Sequence, residues 1–307
     1  MRCLLLGTSS FAIPTADVLL RSTVCTLVGV ISKPDEPVGR AQTMTTPPLA
    51  VWAKTHDVRC WQPDTKGALA ELLRDLQPDA VVVVAYGKII PPDALTIPRF
   101  GYVNLHPSLL PTYRGPSPIH AAIANGDAET GVTLILLDAD IDHGPVLAQE
   151  RVPIATTATR IALERELAER GANLLERTLS EYLAGRSVPQ EQDHERATTT
   201  PLLTRAHGRL DWQRPAVELE RLVRAYEGWP GTWFTLPDGK RLKVLAATLG
   251  GPTRAPFGTI VRDDGHFRIA CGDGTMLELA DVQPEGGALM DGATFLRGYR
   301  GPLARIA

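Results

Sequence analysis

The sequence predicts two domains, an α/β unit with a mostly parallel sheet followed by a small closed β-barrel of OB-like size. Short apolar runs alternate with helix-compatible segments through the first half, a pattern that lays helices on the faces of a parallel sheet. One of those runs, Ala80–Ala85 (Ala-Val-Val-Val-Val-Ala), is apolar on both faces, as a strand covered from above and below must be. After Gly208 the pattern changes to five short alternating segments separated by Gly, Asp and Pro turns, which suits a small all-β unit. The expected division is 1–184 for the first domain, 185–203 for a linker and 204–307 for the second.

Taken in order, Arg2–Leu6 is a first strand, and Gly7-Thr8-Ser9-Ser10 stops its apolar run too early for the core of a secretory signal. Ile13–Arg21 forms a helix with Pro14 in its first turn, where a missing N–H costs nothing. Leu27–Ser32 is the next strand. From Lys33 to Pro48, Pro34, Pro37, Gly39, Pro47 and Pro48 prevent any long strand or helix, leaving an exposed loop with Arg40 as its central cation. Loops beyond a dozen residues in compact domains are enriched in binding roles. Leu69–Leu76 is a helix, Tyr102–Leu105 and Val132–Leu137 are strands, and Thr159–Ala184 is a long amphipathic helix. Gly185–Pro201 is polar, carries a threonine run and reads as linker. Pro215–Tyr226 forms one helix, and the five later strands are Thr232–Leu236, Arg241–Thr248, Thr259–Arg262, Phe267–Cys271 and Met276–Ala280.

Composition narrows the function classes. The longest apolar runs fall far short of the roughly 20 residues a membrane span requires, so no membrane role is expected. Cys3, Cys25, Cys60 and Cys271 form no CxxC pair and read as reduced thiols of a cytoplasmic protein. Net charge is −3, which by itself argues against nucleic acid, but it divides as +1, −6 and +2 over residues 1–103, 104–203 and 204–307. The mildly basic last third relies on arginine, whose fork suits phosphate. Gly7-Thr8-Ser9-Ser10-Phe11 lacks the GxGxxG fingerprint of a nicotinamide site and reads as a tight strand-to-helix turn. Asp138, Asp140 and Asp142 alternate like calcium ligands, yet His143 and Gln149 stand where an EF-hand loop needs Gly and Glu, so no metal is expected. No long exposed apolar stripe suggests a partner subunit, and a monomer is expected.

The chemistry concentrates in Asn104-Leu105-His106-Pro107-Ser108-Leu109-Leu110-Pro111 and in Asp142. Asn104 and His106, two apart on a strand, point to the same side and emerge together at the sheet's end. In an open α/β sheet, ligands bind outside the carboxyl ends of the strands. An amide can hold an oxyanion, a histidine can carry positive charge beside it, and a carboxylate can keep that histidine oriented and charged. His56, His120, His143, His194, His207 and His266 have no such company and are taken as structural or surface residues.

Asn-Leu-His-Pro-Ser-Leu-Leu-Pro, Tyr113-Arg114-Gly115-Pro116-Ser117-Pro118 and Asp140-Ile-Asp142-His143-Gly144 resemble the folate-dependent formyltransferases. Leu202-Leu203-Thr204-Arg205, Asp211-Trp212 and Trp229-Pro230-Gly231-Thr232-Trp233 resemble the C-terminal domain of the members that act on tRNA. The resemblance runs from near residue 1 to near residue 300. It implies a Rossmann-like catalytic domain and an OB-like tRNA-binding domain. The implied donor is 10-formyltetrahydrofolate and the implied acceptor is the α-amino group of methionyl initiator tRNA. By the same match Asn104, His106 and Asp142 are catalytic: the amine attacks the formyl carbon directly, and Asn104 and His106 hold the tetrahedral oxyanion. Ser108, Leu109, Leu110 and Pro111 fall in the folate segment, with Ala85, Tyr86, Gly87, Lys88, Ile89, Asp138 and Asp140 lining the pterin pocket. Arg40 matches a position that approaches the tRNA acceptor stem, although Ala41-Gln42-Thr43 follows it where lysines are common in the family. Rival readings are an amino nucleotide-sugar or glycinamide-ribonucleotide formyltransferase, a formylfolate hydrolase, and a non-catalytic tRNA- or folate-binding module. The glycinamide enzyme normally ends after the first domain, and a mere binder would not require all three catalytic side chains.

Overall fold

The computed structural model describes residues 1–39, 41–263, 265–302 and 305–306; Arg40 therefore lies outside the described residues. The chain forms two compact units, Met1–Pro118 with Glu129–Pro153 and Glu164–Thr200, and Ile119–Ala128 with Ile154–Leu163 and Pro201–Ala307.

The elements of the first part are β1 (Arg2–Gly7), α1 (Ile13–Leu20), β2 (Thr26–Ile31), β3 (Glu36–Val38), β4 (Thr43–Thr45), α2 (Pro48–Thr55), β5 (Cys60–Trp61) and α3 (Lys66–Leu76). They continue as β6 (Ala80–Val84), α4 (Pro92–Leu95), β7 (Tyr102–His106), α5 (Pro118–Asn125), β8 (Glu129–Leu136), β9 (Val146–Pro153) and α6 (Arg160–Leu183). Seven strands form one sheet in the order β5-β2-β1-β6-β7-β8-β9. The ladders joining β5, β2, β1, β6 and β7 are parallel, whereas β8 is antiparallel to β7 and β9 to β8. All five residues of β6 are buried, and such a side chain contributes about 1.5–3 kcal/mol relative to staying in water. Leu4, Leu6, Ile31, Val81 and Val83 pack with Leu69 and Leu73 of α3. That helix starts where the Thr65 hydroxyl accepts from Ala68 N at 3.1 Å and stops at Gln77, whose φ is 47°. Gly7 does make the tight turn: a Cβ there would lie 2.8 Å from Ala12 Cβ and 2.9 Å from the Val84 carbonyl oxygen.

The loop after β2 holds more order than its prolines suggested. Glu36–Val38 pairs antiparallel with Thr43–Thr45, Pro37 being tolerated in a two-stranded ribbon, and Pro48 opens α2 instead of breaking it. Missed altogether were β5, α4, α5 and the edge strand β9, whose Gln149, Glu150 and Arg151 hide any hydrophobic alternation.

The second unit adds α7 (Ala216–Ala225), β10 (Thr232–Thr235), β11 (Arg241–Pro252), β12 (Ile260–Asp263), β13 (His266–Ala270), β14 (Thr275–Pro284), β15 (Met290–Asp291) and α8 (Gly292–Gly298). Its strands form an antiparallel sheet in the order β10-β11-β14-β13-β12, with β15 on β14. Three register breaks between β11 and β14 let the sheet coil around a core that includes Phe234, Leu242, Phe267, Ile269 and Leu277. Leu219, Leu222 and Val223 of α7 join that core.

His120 of α5 belongs to this unit and lies 6.3 Å from the Tyr226 ring, centroid to centroid. Burial, reinforced by the Arg160 guanidinium, pushes its imidazole down to about 4. The unfolded chain binds this proton near pH 6.5 and the folded one does not. The stability concerned is complete above pH 6.5 and is lost as pH falls toward 4. It amounts to about 2 kcal/mol once partial exposure is allowed for. Urea unfolding of wild type and His120→Gln between pH 7 and 4.5 should show the variant losing less stability by about that amount; parallel curves would refute this.

Candidate active site

The carboxyl end of β7 brings Asn104 and His106 against a single carboxylate. Asn104 Nδ2 donates to Asp142 Oδ1 at 3.3 Å, and His106 Nδ1 lies 3.5 Å from Asp142 Oδ2. The strand's two-residue repeat sends both side chains to the same side, and Asp142 reaches them from the loop between β8 and β9. The His106 and Asp142 side chains are only 6% and 13% exposed, so their interaction is little screened.

The opposite ring nitrogen fixes the imidazole. His106 Nε2 lies 2.9 Å from the Tyr113 carbonyl oxygen, which can only accept, so Nε2 carries a hydrogen. A protonated ring would have an acceptor beside each nitrogen. Asp142 sits at φ 51°, a left-handed conformation that Asp tolerates better than most residues. Its Oδ2 also accepts from Gly115 N at 2.8 Å.

Gly115 is needed for that last contact. Its φ is 97°, and a Cβ there would approach the Thr200 carbonyl oxygen to 2.8 Å. Thr200 cannot easily retreat, since its N donates to the Arg114 carbonyl at 2.8 Å and its hydroxyl to the same oxygen at 3.1 Å. Gly115→Ala is expected to cost about 2 kcal/mol of stability and to lower kcat by roughly tenfold or more as the N–H leaves Asp142. Urea unfolding and saturating kinetics check both; an unaltered kcat would show that this donor is dispensable.

The segment expected to bind folate is tightly pinned. Thr133 Oγ1 donates to the Ser108 carbonyl at 2.6 Å and accepts from Leu110 N at 3.2 Å, while Gln149 Nε2 donates to the Leu110 carbonyl at 2.7 Å. The buried Ser108 hydroxyl turns back to the Thr112 carbonyl at 2.6 Å. Leu110 is buried, and Leu109 and Pro111 are half-buried. Beyond β6, Ala85 and Gly87 take φ 47° and 71°. Tyr86 is buried, with its carbonyl held by Thr8 Oγ1 at 2.8 Å, and Lys88 Nζ donates to the Pro63 carbonyl at 2.9 Å. Asp138 bonds Asp140 N at 3.0 Å and His143 Nδ1 at 2.7 Å, leaving Asp140 exposed.

Sequence reasoning missed an entire side of the site. Residues 190–200, expected to be linker, hydrogen-bond across it: Thr198 Oγ1 accepts from Tyr113 N at 2.8 Å and the Thr198 carbonyl from Arg114 N at 2.8 Å. His143 and His194, set aside as structural, stack with centroids 4.1 Å apart, and His194 Nδ1 accepts from Arg114 Nη2 at 2.8 Å. Only the Arg114-Gly115 pair in the family-like motif hinted at this. Among the described residues no cluster of His, Cys, Asp or Glu is placed to hold a metal ion, and no helix is long and apolar enough to cross a membrane.

A sheet ending in an amide, an imidazole and a shared carboxylate has the parts of an acyl-type transferase. Residues 1–179 match the formyl transferase family and residues 202–300 the formyl transferase C-terminal domain, so the chain belongs to the formyl transferase family. It is 44% identical over 305 residues to the methionyl-tRNA formyltransferase of Roseiflexus sp. (strain RS-1), covering 98% of this chain and 93% of that one. Identity to the methionyl-tRNA formyltransferase of Chloroflexus aurantiacus (strain ATCC 29366 / DSM 635 / J-10-fl) is 41% over 311 residues, covering 100% and 99%. An N-formyltransferase from Helicobacter canadensis, solved with folinic acid and dTDP-3-aminofucose, superposes with a TM-score of 0.67 over 92% of this chain and 99% of that one. At 18% identity it speaks to the fold alone.

Proposed function

We propose that this chain transfers the formyl group of 10-formyltetrahydrofolate to the α-amino group of methionyl initiator tRNA, in the cytoplasm and as a monomer. The observation that carries the reading is the likeness to methionyl-tRNA formyltransferases, which at 44% identity overall covers 98% of this chain and so spans both matched domains. The acceptor-facing role of Arg40 is assigned from the sequence alone.

The residues present fit a folate donor. Among the described residues the peptide groups of Gly87–Ile90 take no backbone partner, leaving donors and acceptors for the edge of a flat heterocycle. Ile89 and Ile141, at 69% and 70% exposure, are apolar side chains open to solvent in the two segments that the family likeness assigns to the folate pocket. When bound, the donor supplies a formyl carbon carried on a folate nitrogen.

The protein's part is positioning and charge. Asn104 Nδ2 has two hydrogens and spends one on Asp142, so the other is free for the formyl oxygen as it becomes negative. His106 has its Nε2 hydrogen committed to Tyr113, so that a protonated ring turns its Nδ1–H to that oxygen and Asp142 together. Asp142 balances the imidazolium and, through a water, can pass the amine's proton toward the departing folate nitrogen. The new carbon–nitrogen bond replaces the old one, and the proton moves between the two nitrogens, so no charge is created overall.

The test supplies 10-formyltetrahydrofolate with methionyl initiator tRNA, with UDP-4-amino-arabinose, or with no acceptor. Formylmethionyl-tRNA as the dominant product is expected. A formylated sugar, or formate released without any acceptor, would overturn the reading.

A further inference from the structure

We propose that Gln192 is a positioning residue for Asp142, so that the segment before Pro201 forms a working wall of the active site. The residue is buried, at 6% exposure. Nε2 donates to the Asp142 carbonyl at 2.9 Å and the Gly144 carbonyl at 2.8 Å. Oε1 accepts from Arg114 Nε at 3.2 Å and Nη2 at 2.8 Å. Both amide hydrogens and both oxygen lone pairs are therefore used. The orientation is fixed by chemistry, because two carbonyls can only accept and a guanidinium can only donate.

The bond to the Asp142 carbonyl acts on the residue whose side chain faces His106 and Asn104. The bond to Gly144 holds the next turn, where even a Cβ would meet the Leu136 carbonyl oxygen at 1.8 Å. Between these points Asp142 is kept at φ 51°, a conformation with a modest intrinsic cost. Arg114 closes the circuit: its guanidinium holds Gln192, and its next residue, Gly115, donates to Asp142 Oδ2. Asp142 is thus held by its backbone through Gln192 and by its carboxylate through Gly115. Only Gln offers two donors and an acceptor in this geometry; Glu keeps the Arg114 contact but turns an oxygen toward both carbonyls.

The proposal deepens the transferase reading and rests on it for the kinetic arm of its test. Full-length wild type, Gln192→Glu and Gln192→Met are assayed for formyl transfer, and amide hydrogen exchange is followed at Gly115. Both variants are expected to lose kcat by roughly thirtyfold or more, with KM for either substrate within about threefold, and to exchange the Gly115 amide at least about tenfold faster. The Glu variant keeps an acceptor for Arg114, now as an ion pair, and so reports on the lost donors even if the Met variant fails to fold. A Glu variant with wild-type kcat, a loss confined to KM, or unchanged exchange at Gly115 would overturn the role. Should wild type formylate no methionyl-tRNA, the functional reading fails instead, and exchange at Gly115 alone decides whether Gln192 holds Asp142.

Discussion

His106→Ala is expected to lower kcat by several hundredfold or more while leaving a folded protein, and Asn104→Ala to do much the same. Each removes one hydrogen-bond donor from the place where negative charge develops, and such a donor is typically worth about 3–4 kcal/mol of barrier. His106 is buried and its Nε2 serves the Tyr113 carbonyl, so the histidine variant also forfeits about 1–3 kcal/mol of stability. Asn104 is half-buried and should be cheaper to truncate. Because the two donors act on one oxygen, the double variant should fall well short of the product of the two losses. Saturating kinetics with methionyl-tRNA, alongside thermal unfolding, measure both effects. Near-wild-type turnover in either single variant would remove that residue from the mechanism.

Asp142→Asn should be as damaging, for a different reason. The shape and the left-handed backbone survive, since Asn adopts φ near 50° as readily as Asp. The hydrogen bonding does not. Asp142 Oδ1 faces the Asn104 amide, and Oδ2 faces Gly115 N and His106 Nδ1. An amide in this place must point its NH₂ at one of these donors. The negative charge opposite the imidazole is lost as well. A fall in kcat of about a thousandfold is expected, approaching what an aspartate-to-asparagine change costs in a serine-protease triad. Stability should drop by only about 1–2 kcal/mol. An Asn variant within tenfold of wild type would mean that the carboxylate merely fills space.

The β7 pair was legible because strand geometry is local: residues two apart share a face whatever the rest of the chain does. Strands β1, β2 and β6 were legible because burial on both faces leaves an uninterrupted apolar run. Edge strand β9 escaped notice, as the consecutive polar residues Gln149, Glu150 and Arg151 erase the period. The site's far wall was illegible for a deeper reason. Gln192, Thr198 and Thr200 lie in a polar stretch with no periodicity, and what they bind is 78 or more residues away in sequence for Arg114 and 50 for the Asp142 carbonyl. The prolines near residue 48 misled in the other direction, because a breaker inside an element is also a starter at its first turn.

By itself the sequence determined the strand that carries an amide and an imidazole, the parallel character of the sheet and the presence of a separate antiparallel unit, all of which follow from short-range period and side-chain type. The tertiary structure alone decided which carbonyl claims His106 Nε2, why residue 115 must be glycine, and that the stretch before Pro201 grips the loop of Asp142. Those are matters of which distant hydrogen-bonding groups end up buried together, and no local pattern encodes them.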